Sequence, residues 1–134
     1  MADGIVTAIL EDLQDHLLLV GAMSQPAAIY CSLWIGDPLG AGAEVTGTAY
    51  ARENSTFGAA TTLGEVVTSA NSVAIDFGTA GAGGWGTVTH FALFSAITGG
   101  TMLASVELDI PKVIAVGDPV KFNIGECKLT ATRS

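Results

Sequence analysis

The fold is decided by the stretch TVTHFALFSAITGGTMLASVELDI, which spans residues 87–110. Its first part, residues 87–96, is rich in β-branched and aromatic side chains and is typical of a strand. Residues 98–100 read Thr-Gly-Gly, a sequence that favours a tight hairpin turn. Residues 102–110 form a second apolar run, which Pro111 should end because proline cannot donate a ladder hydrogen bond. The stretch therefore predicts a β-hairpin.

Short runs of similar character flank this hairpin and are separated by turn residues. The clearest is AIYCSLWI at residues 28–35, which has the length and composition of a buried strand. The other predicted strands lie within 50–57, at 65–68, at 72–77 and, as one or two strands, within 120–132. Between them we expect a long loop at 39–47, turns at 69–71 and 116–118, and a turn or bulge at Gly125. Several short strands at fairly even spacing predict an antiparallel β-sandwich or barrel-like domain over residues 28–132.

The first 21 residues follow a different period. Apolar side chains recur every three or four positions, at Ile5, Ile9, Leu13, Leu17 and Val20. This spacing predicts an amphipathic helix over residues 1–21, with Asp3 as its N-cap and Gly21 just past its end. The helix is apolar enough that it must pack on the β-domain or on another chain. We expect the helix and the β-domain to form one domain over residues 1–134.

Composition excludes several classes of protein. The chain is 49% hydrophobic and 13% charged, which is far from the low hydrophobicity and high charge of a disordered protein. Its formal net charge of −8 leaves too few cations to neutralise a run of phosphates, so we do not expect nucleic acid as a partner. No apolar run reaches the roughly 18 residues that a membrane-spanning helix requires. The two cysteines are too few for a disulfide scaffold and wrongly spaced for zinc.

Positive charge is concentrated near the end of the sequence. Arg52 is the only cation before Lys112, whereas Lys112, Lys121, Lys128 and Arg133 all lie in the last 24 residues. These lysines are either ordinary solvated side chains or a face whose charge sets the register with a neighbouring subunit.

Candidates for catalysis or cofactor binding are few. Residues 81–86, GAGGWG, match the spacing G-x-G-x-x-G, but a strand follows them where a dinucleotide site needs a helix. His90 is expected to be structural and His16 to lie on the helix surface. Cys31 and His90 could in principle form a nucleophile and base pair, although Cys31 lies in an apolar strand where a thiol is inert. We therefore expect a non-enzymatic protein without a cofactor or metal site.

Trp85 follows this glycine-rich loop and has two interpretations. It either caps an open end of the domain or anchors a partner, since large aromatic side chains belong to cores and interfaces. The residues that we hypothesise to form interfaces are Ile5, Ile9, Leu13, Trp85, Lys112, Lys121 and Lys128.

Four blocks of the sequence, in the same order, resemble a family of small virion proteins of tailed bacteriophages that are labelled tail fibre or structural proteins. They cover roughly residues 28–124. The blocks are Ile29-Tyr30-Cys31-Ser32-Leu33 leading to Asp37-Pro38; Gly47-Thr48-Ala49-Tyr50-Ala51-Arg52 followed by Thr56-Phe57-Gly58-Ala59-Ala60; Gly84-Trp85-Gly86-Thr87-Val88-Thr89-His90-Phe91 with Leu93-Phe94 and Thr98-Gly99-Gly100; and Pro111-Lys112 through Gly117-Asp118 to Phe122.

The resemblance implies a non-enzymatic component of the virion, assembled in the cytoplasm of the bacterial host. Our main expectation is a capsid decoration (cement) protein, a homo-oligomer that binds the major capsid protein on the outer face of the head. We prefer it because a fibre needs long repetitive segments and this sequence has no repeats. The alternative is a tail fibre, tail tip or adaptor component that contacts other tail proteins and takes part in host attachment.

Overall fold

The predicted hairpin lies at the centre of the largest sheet in the computed structural model, which describes residues 4–133. One helix, α1 (Thr7–Leu17), and eleven strands lie within these residues. The strands are β1 (Gly4–Ile5), β2 (Tyr30–Ile35), β3 (Ala43–Glu44), β4 (Glu53–Asn54), β5 (Thr61–Leu63), β6 (Val66–Ala70), β7 (Ile75–Thr79), β8 (Gly86–Phe94), β9 (Met102–Ile114), β10 (Pro119–Phe122) and β11 (Lys128–Thr132).

The largest sheet has the strand order β1-β9-β8-β2-β3, and β4 also pairs with β2. All of its pairings are antiparallel. The β8–β9 hairpin is confirmed, and its turn uses glycine for a physical reason. Gly99 and Gly100 have φ angles of 62° and 73°, and a Cβ atom on Gly100 would lie 2.8 Å from the Cβ of Ala96.

Strand β9 is longer than predicted, because it continues past Pro111 to Ile114. The register shifts between the pairs Val88–Lys112 and His90–Glu107, so a single residue of β8 faces residues 108–111 of β9. Proline is tolerated at such a bulge because no ladder hydrogen bond is required there. The expectation that Pro111 ends the strand was therefore wrong.

Two smaller sheets lie apart from the large one, with the orders β10-β7 and β11-β6-β5. The strands predicted at 65–68 and 72–77 exist as β6 and β7, but the turn between them leads from one small sheet to the other. The region 120–132 forms two strands, with Gly125 at a φ of 85° between them. Strand β5 was not predicted, and β3 interrupts the predicted loop at 39–47.

The core lies between the large sheet and the small ones, in a sandwich-like arrangement, as expected. Five aromatic rings form a continuous chain through it, with each ring 5.5–6.2 Å from the next. In order of contact they are Trp85, Tyr50, Phe77, Phe122 and Phe91. Three of these four contacts are tilted or edge-on, a geometry that aromatic pairs prefer, and the Tyr50–Phe77 pair is stacked. The two layers are thus joined by ring packing and are not closed into a barrel within residues 4–133.

The helix is shorter than the sequence pattern predicts. Residues 4 and 5 form β1, in which Ile5 pairs with Ala104, and α1 begins after the N-cap residue Val6. Asp3, the predicted N-cap, lies outside the described residues. Val6 has no side chain that can accept a hydrogen bond from the first turn, so the helix starts without a side-chain cap.

A buried asparagine joins the turn after β6 to the turn before β11. Asn71 is 1% exposed, and its side-chain nitrogen donates to the carbonyl oxygens of Val73 and Asn123, both at 3.0 Å. Its side-chain oxygen accepts from the backbone N–H groups of Gly125 (3.1 Å) and Cys127 (2.9 Å). One amide thereby satisfies four backbone groups from two distant segments.

We predict that Asn71→Ala lowers the free energy of unfolding by about 3 kcal/mol, because it removes four hydrogen bonds, including the one that the N–H of the fully buried Cys127 donates. Urea denaturation of the purified chain measures this change. Asn123→Ala is the matched control: this residue is exposed and contributes only its backbone carbonyl to Asn71, so its stability should stay near that of the unmodified chain. Equal stability of the two variants would contradict the role assigned to Asn71.

Candidate interaction surface

Helix α1 carries an apolar face that the rest of the chain does not cover. Within Thr7–Leu17 no residue is buried. Ile9 is half-buried, Leu13 is 37% exposed and Leu17 is 68% exposed. An isolated helix of this length is only marginally stable in water, and most helices gain their stability from packing of the apolar face. The face is therefore suited to contact with another molecule.

The end of the helix extends this apolar surface. Leu19 has a φ of 64°, a left-handed conformation that glycine usually adopts at this position. The N–H of Val20 donates to the carbonyl of Asp15 at 2.9 Å, and the N–H of Leu19 donates to that of His16 at 3.4 Å, which forms a Schellman motif. The helix thus stops earlier than the predicted end at Gly21, and Leu19 is left 93% exposed.

The three lysines singled out from the sequence line two neighbouring grooves of the structure. Lys112 and Lys121 line a groove of about 200 Å³, together with Leu108, Phe122 and the acidic Glu126. Lys128 lines a neighbouring depression that shares Leu108 with this groove. All three lysines are exposed. Their role in an interface stays a prediction, as does that of Ile5, Ile9 and Leu13.

Trp85 belongs to the core of the chain. Its ring is 3% exposed, and its indole N–H donates to the carbonyl oxygen of Thr48 at 2.9 Å. A Cβ atom at Gly47 would lie 2.4 Å from this ring, so the neighbouring loop approaches it closely only because residue 47 is glycine. This position favours the interpretation that Trp85 caps the domain, since a partner could reach the ring only if the core rearranged.

Arg52 is not among the candidate residues predicted from the sequence, yet its side chain makes four hydrogen bonds and an ion pair. Its guanidinium donates two hydrogen bonds to the Glu44 carboxylate, both at 2.9 Å, and two more to the carbonyl oxygens of Ala96 and Gly99. Its carbon atom Cζ also lies 3.8 Å from the ring centroid of Phe94. Arg52 therefore holds the β8–β9 turn against β3. Its isolation as the only cation before Lys112 is the signal that could have identified it.

The Glu44 carboxylate of this cluster faces a positive charge on Arg52 and a hydrogen-bond donor on Tyr50. Partial burial raises the pKa of the Glu44 carboxyl, but hydrogen bonds from Arg52 and from the Tyr50 hydroxyl outweigh it and hold the pKa below its ordinary value. The Tyr50 hydroxyl donates to Glu44 at 2.8 Å and accepts from the N–H of Leu33 at 3.0 Å. Because each of these groups has a partner inside the chain, the cluster is structural and offers no reacting group.

The structure separates the two residues considered as a nucleophile and base pair. Cys31 lies on the core face of the large sheet, together with Leu33 and Leu93. His90 adjoins Phe91 in β8 and therefore points to the opposite face. A hydrogen bond with Cys127 and complete burial raise the pKa of the Cys31 thiol, which disfavours the reactive thiolate.

The glycine-rich residues 81–86 lead into strand β8 and not into a helix, whereas a dinucleotide-binding loop opens a helix. Among residues 4–133, no group of three or more His, Cys, Asp or Glu side chains could hold a metal ion. No helix in this part of the chain is long and apolar enough to cross a membrane.

We predict that Arg52→Ala lowers the free energy of unfolding by about 3–5 kcal/mol, because it leaves the partly buried Glu44 carboxylate without its cationic partner. Arg133→Ala is the matched control: its side chain is 86% exposed and lies 4.0 Å from Glu65, so its loss should change stability very little. Thermal and urea unfolding of both variants measure the difference. A change of similar size in the two variants would contradict the structural role of Arg52.

The comparison with known families bears on the function. The family model described as "Podophage GP4 fiber I protein gp80" matches residues 4–130, which include all of the elements above except the end of β11. No curated protein matches the chain. The match confirms the resemblance to phage virion proteins, and it favours the tail fibre alternative over capsid decoration, which it does not support. The chain therefore belongs to the Podophage GP4 fiber I protein gp80 family of phage fibre proteins, which are structural components of the virion.

Proposed function

We propose that this chain is a non-enzymatic structural subunit of the phage tail fibre. In this proposal the β-sandwich is the rigid body of the subunit, and α1 is the surface through which it is built into the fibre. The observation that carries the proposal is the uncovered apolar face of α1 in a chain that belongs to a fibre family. A subunit that worked alone in solution would gain nothing from leaving this face exposed to water.

The charge of the chain is compatible with this role. A formal net charge of −8 keeps free subunits soluble before they are incorporated into the particle. The partners are then other tail proteins rather than the major capsid protein.

Localisation of the chain on intact virions tests the proposal. Gold-labelled antibodies against the purified chain, viewed by electron microscopy, should label the tail. Antibodies against the major capsid protein provide the control, because they must label the head of the same particles. Labelling spread over the whole head would overturn the proposal in favour of a decoration protein, and the absence of the chain from washed virions would exclude a structural role.

A further inference from the structure

The core contains the only two cysteines of the chain, and their thiols are in contact. Cys31 belongs to β2 in the large sheet, whereas Cys127 directly precedes β11 in a small sheet. Both are free thiols without exposed surface, and a hydrogen bond joins their side chains. This contact between the two thiols therefore lies between the two layers of the β-sandwich.

Backbone hydrogen bonds hold both cysteines in place. Cys31 pairs with Leu93 of β8 on one side and with Glu53 of β4 on the other. Cys127 is anchored by Asn71: its N–H donates to Oδ1 of Asn71 at 2.9 Å, and its carbonyl oxygen accepts from the backbone N–H of Asn71 at 3.1 Å. The two thiols therefore stay in contact as long as the two layers stay packed.

Two thiols in contact are suited to form a disulfide. The sulfur atoms of a disulfide must approach to about 2.05 Å, which cysteines whose side chains point apart cannot achieve. Disulfides are rare in the cytoplasm, where thiols are kept reduced, but they form and persist on the surface of virions. A component of the virion passes from the first environment to the second when the particle leaves the host cell.

We propose that Cys31 and Cys127 form a disulfide that joins the two layers of the β-sandwich after the particle leaves the host cell. The oxidant is a low-molecular-weight disulfide in the surroundings. One cysteine thiolate attacks it and releases one small thiol, which leaves a mixed disulfide, and the other cysteine thiolate then displaces the second small thiol. Both cysteines lose their protons, and their two electrons reduce the small disulfide to two thiols.

Burial determines how fast this cross-link forms. The hydrogen bond with Cys127 and complete burial raise the pKa of the Cys31 thiol, so that little of the attacking thiolate is present. Neither sulfur is accessible to solvent while the layers are packed, so oxidation must wait for brief openings of the sandwich. The same burial shields the finished disulfide from reductants.

Mass spectrometry of the alkylated chain tests the inference. The unmodified chain, purified under reducing conditions and denatured with N-ethylmaleimide, should take up one adduct per cysteine. After incubation of the folded chain with oxidised glutathione it should take up none, and its mass should be lower than that of the reduced chain by two hydrogen atoms. Cys31→Ser is the matched control: Cys127 alone cannot close the bond within one chain, so this variant should keep a reactive thiol or carry one glutathione.

Thermal unfolding of the two forms of the unmodified chain supplies a second readout. The cross-linked form should melt about 10 °C above the reduced form, because the disulfide closes a loop of about 100 residues and so restricts the unfolded chain. Cys31→Ser should show no such rise after the same treatment.

The state of the cysteines in the particle is the third readout. The chain from washed virions, denatured with N-ethylmaleimide in the absence of reductant, should carry no adduct. The chain from infected cells that are quenched with acid before lysis should take up one adduct per cysteine, because the cytoplasm keeps its thiols reduced.

The inference is overturned if the chain from virions carries free thiols, if oxidised glutathione links different chains instead of closing the bond within one chain, or if the cross-linked form melts no higher than the reduced form. These results are independent of where the chain lies on the virion. A chain with free thiols that still labels the tail would leave the proposed function standing and would overturn only the disulfide.

Discussion

The fold depends on one constraint, which is that β8 must be covered on both of its faces. Its last five residues are all buried, so side chains that point to opposite sides of the large sheet are equally shielded from water. On one side Phe91 meets Phe122 of the small sheet. On the other side Phe94 is covered by Trp34, whose ring stacks on it, and by the Arg52 guanidinium. The segments that carry Phe122, Trp34 and Arg52 therefore pack against the two faces of β8.

The parts of the fold that depend on local signals could be predicted from the sequence, whereas the parts that depend on long-range contacts could not. The β8–β9 hairpin and β2 could be predicted, because strand composition and the Gly99-Gly100 turn are local signals. The assignment of β6 and β7 to different sheets could not, since it depends on the Asn71 side chain, three of whose four hydrogen bonds reach residues 52 to 56 positions away in sequence. The contact partners of Arg52 and Trp85 likewise could not be predicted, because they lie on segments that are distant in sequence.

The N-terminal region shows a different limit. Apolar residues do recur at helical spacing in the first 21 residues, but this spacing does not distinguish a helical turn from the two-residue strand β1. That strand forms because it pairs with the edge of β9. The period also predicted that the helix needs a partner without saying which one. Capsid decoration was preferred because the sequence lacks repeats, yet the chain belongs to a fibre family. The absence of repeats was therefore a poor guide to the place of this compact β-sandwich in the virion.

The central claim is that the β-sandwich is stable by itself, whereas α1 is stable only when other molecules cover its leucines. Hydrogen–deuterium exchange of the purified chain and of intact virions tests this claim most directly, because amide protection reports the local free energy of opening. The account predicts that amides of β2 and β8 are strongly protected in both samples, and that amides within Thr7–Leu17 are protected in the virion but exchange rapidly in the purified chain. Strong protection of α1 in dilute solution, at the level of β8, would contradict it.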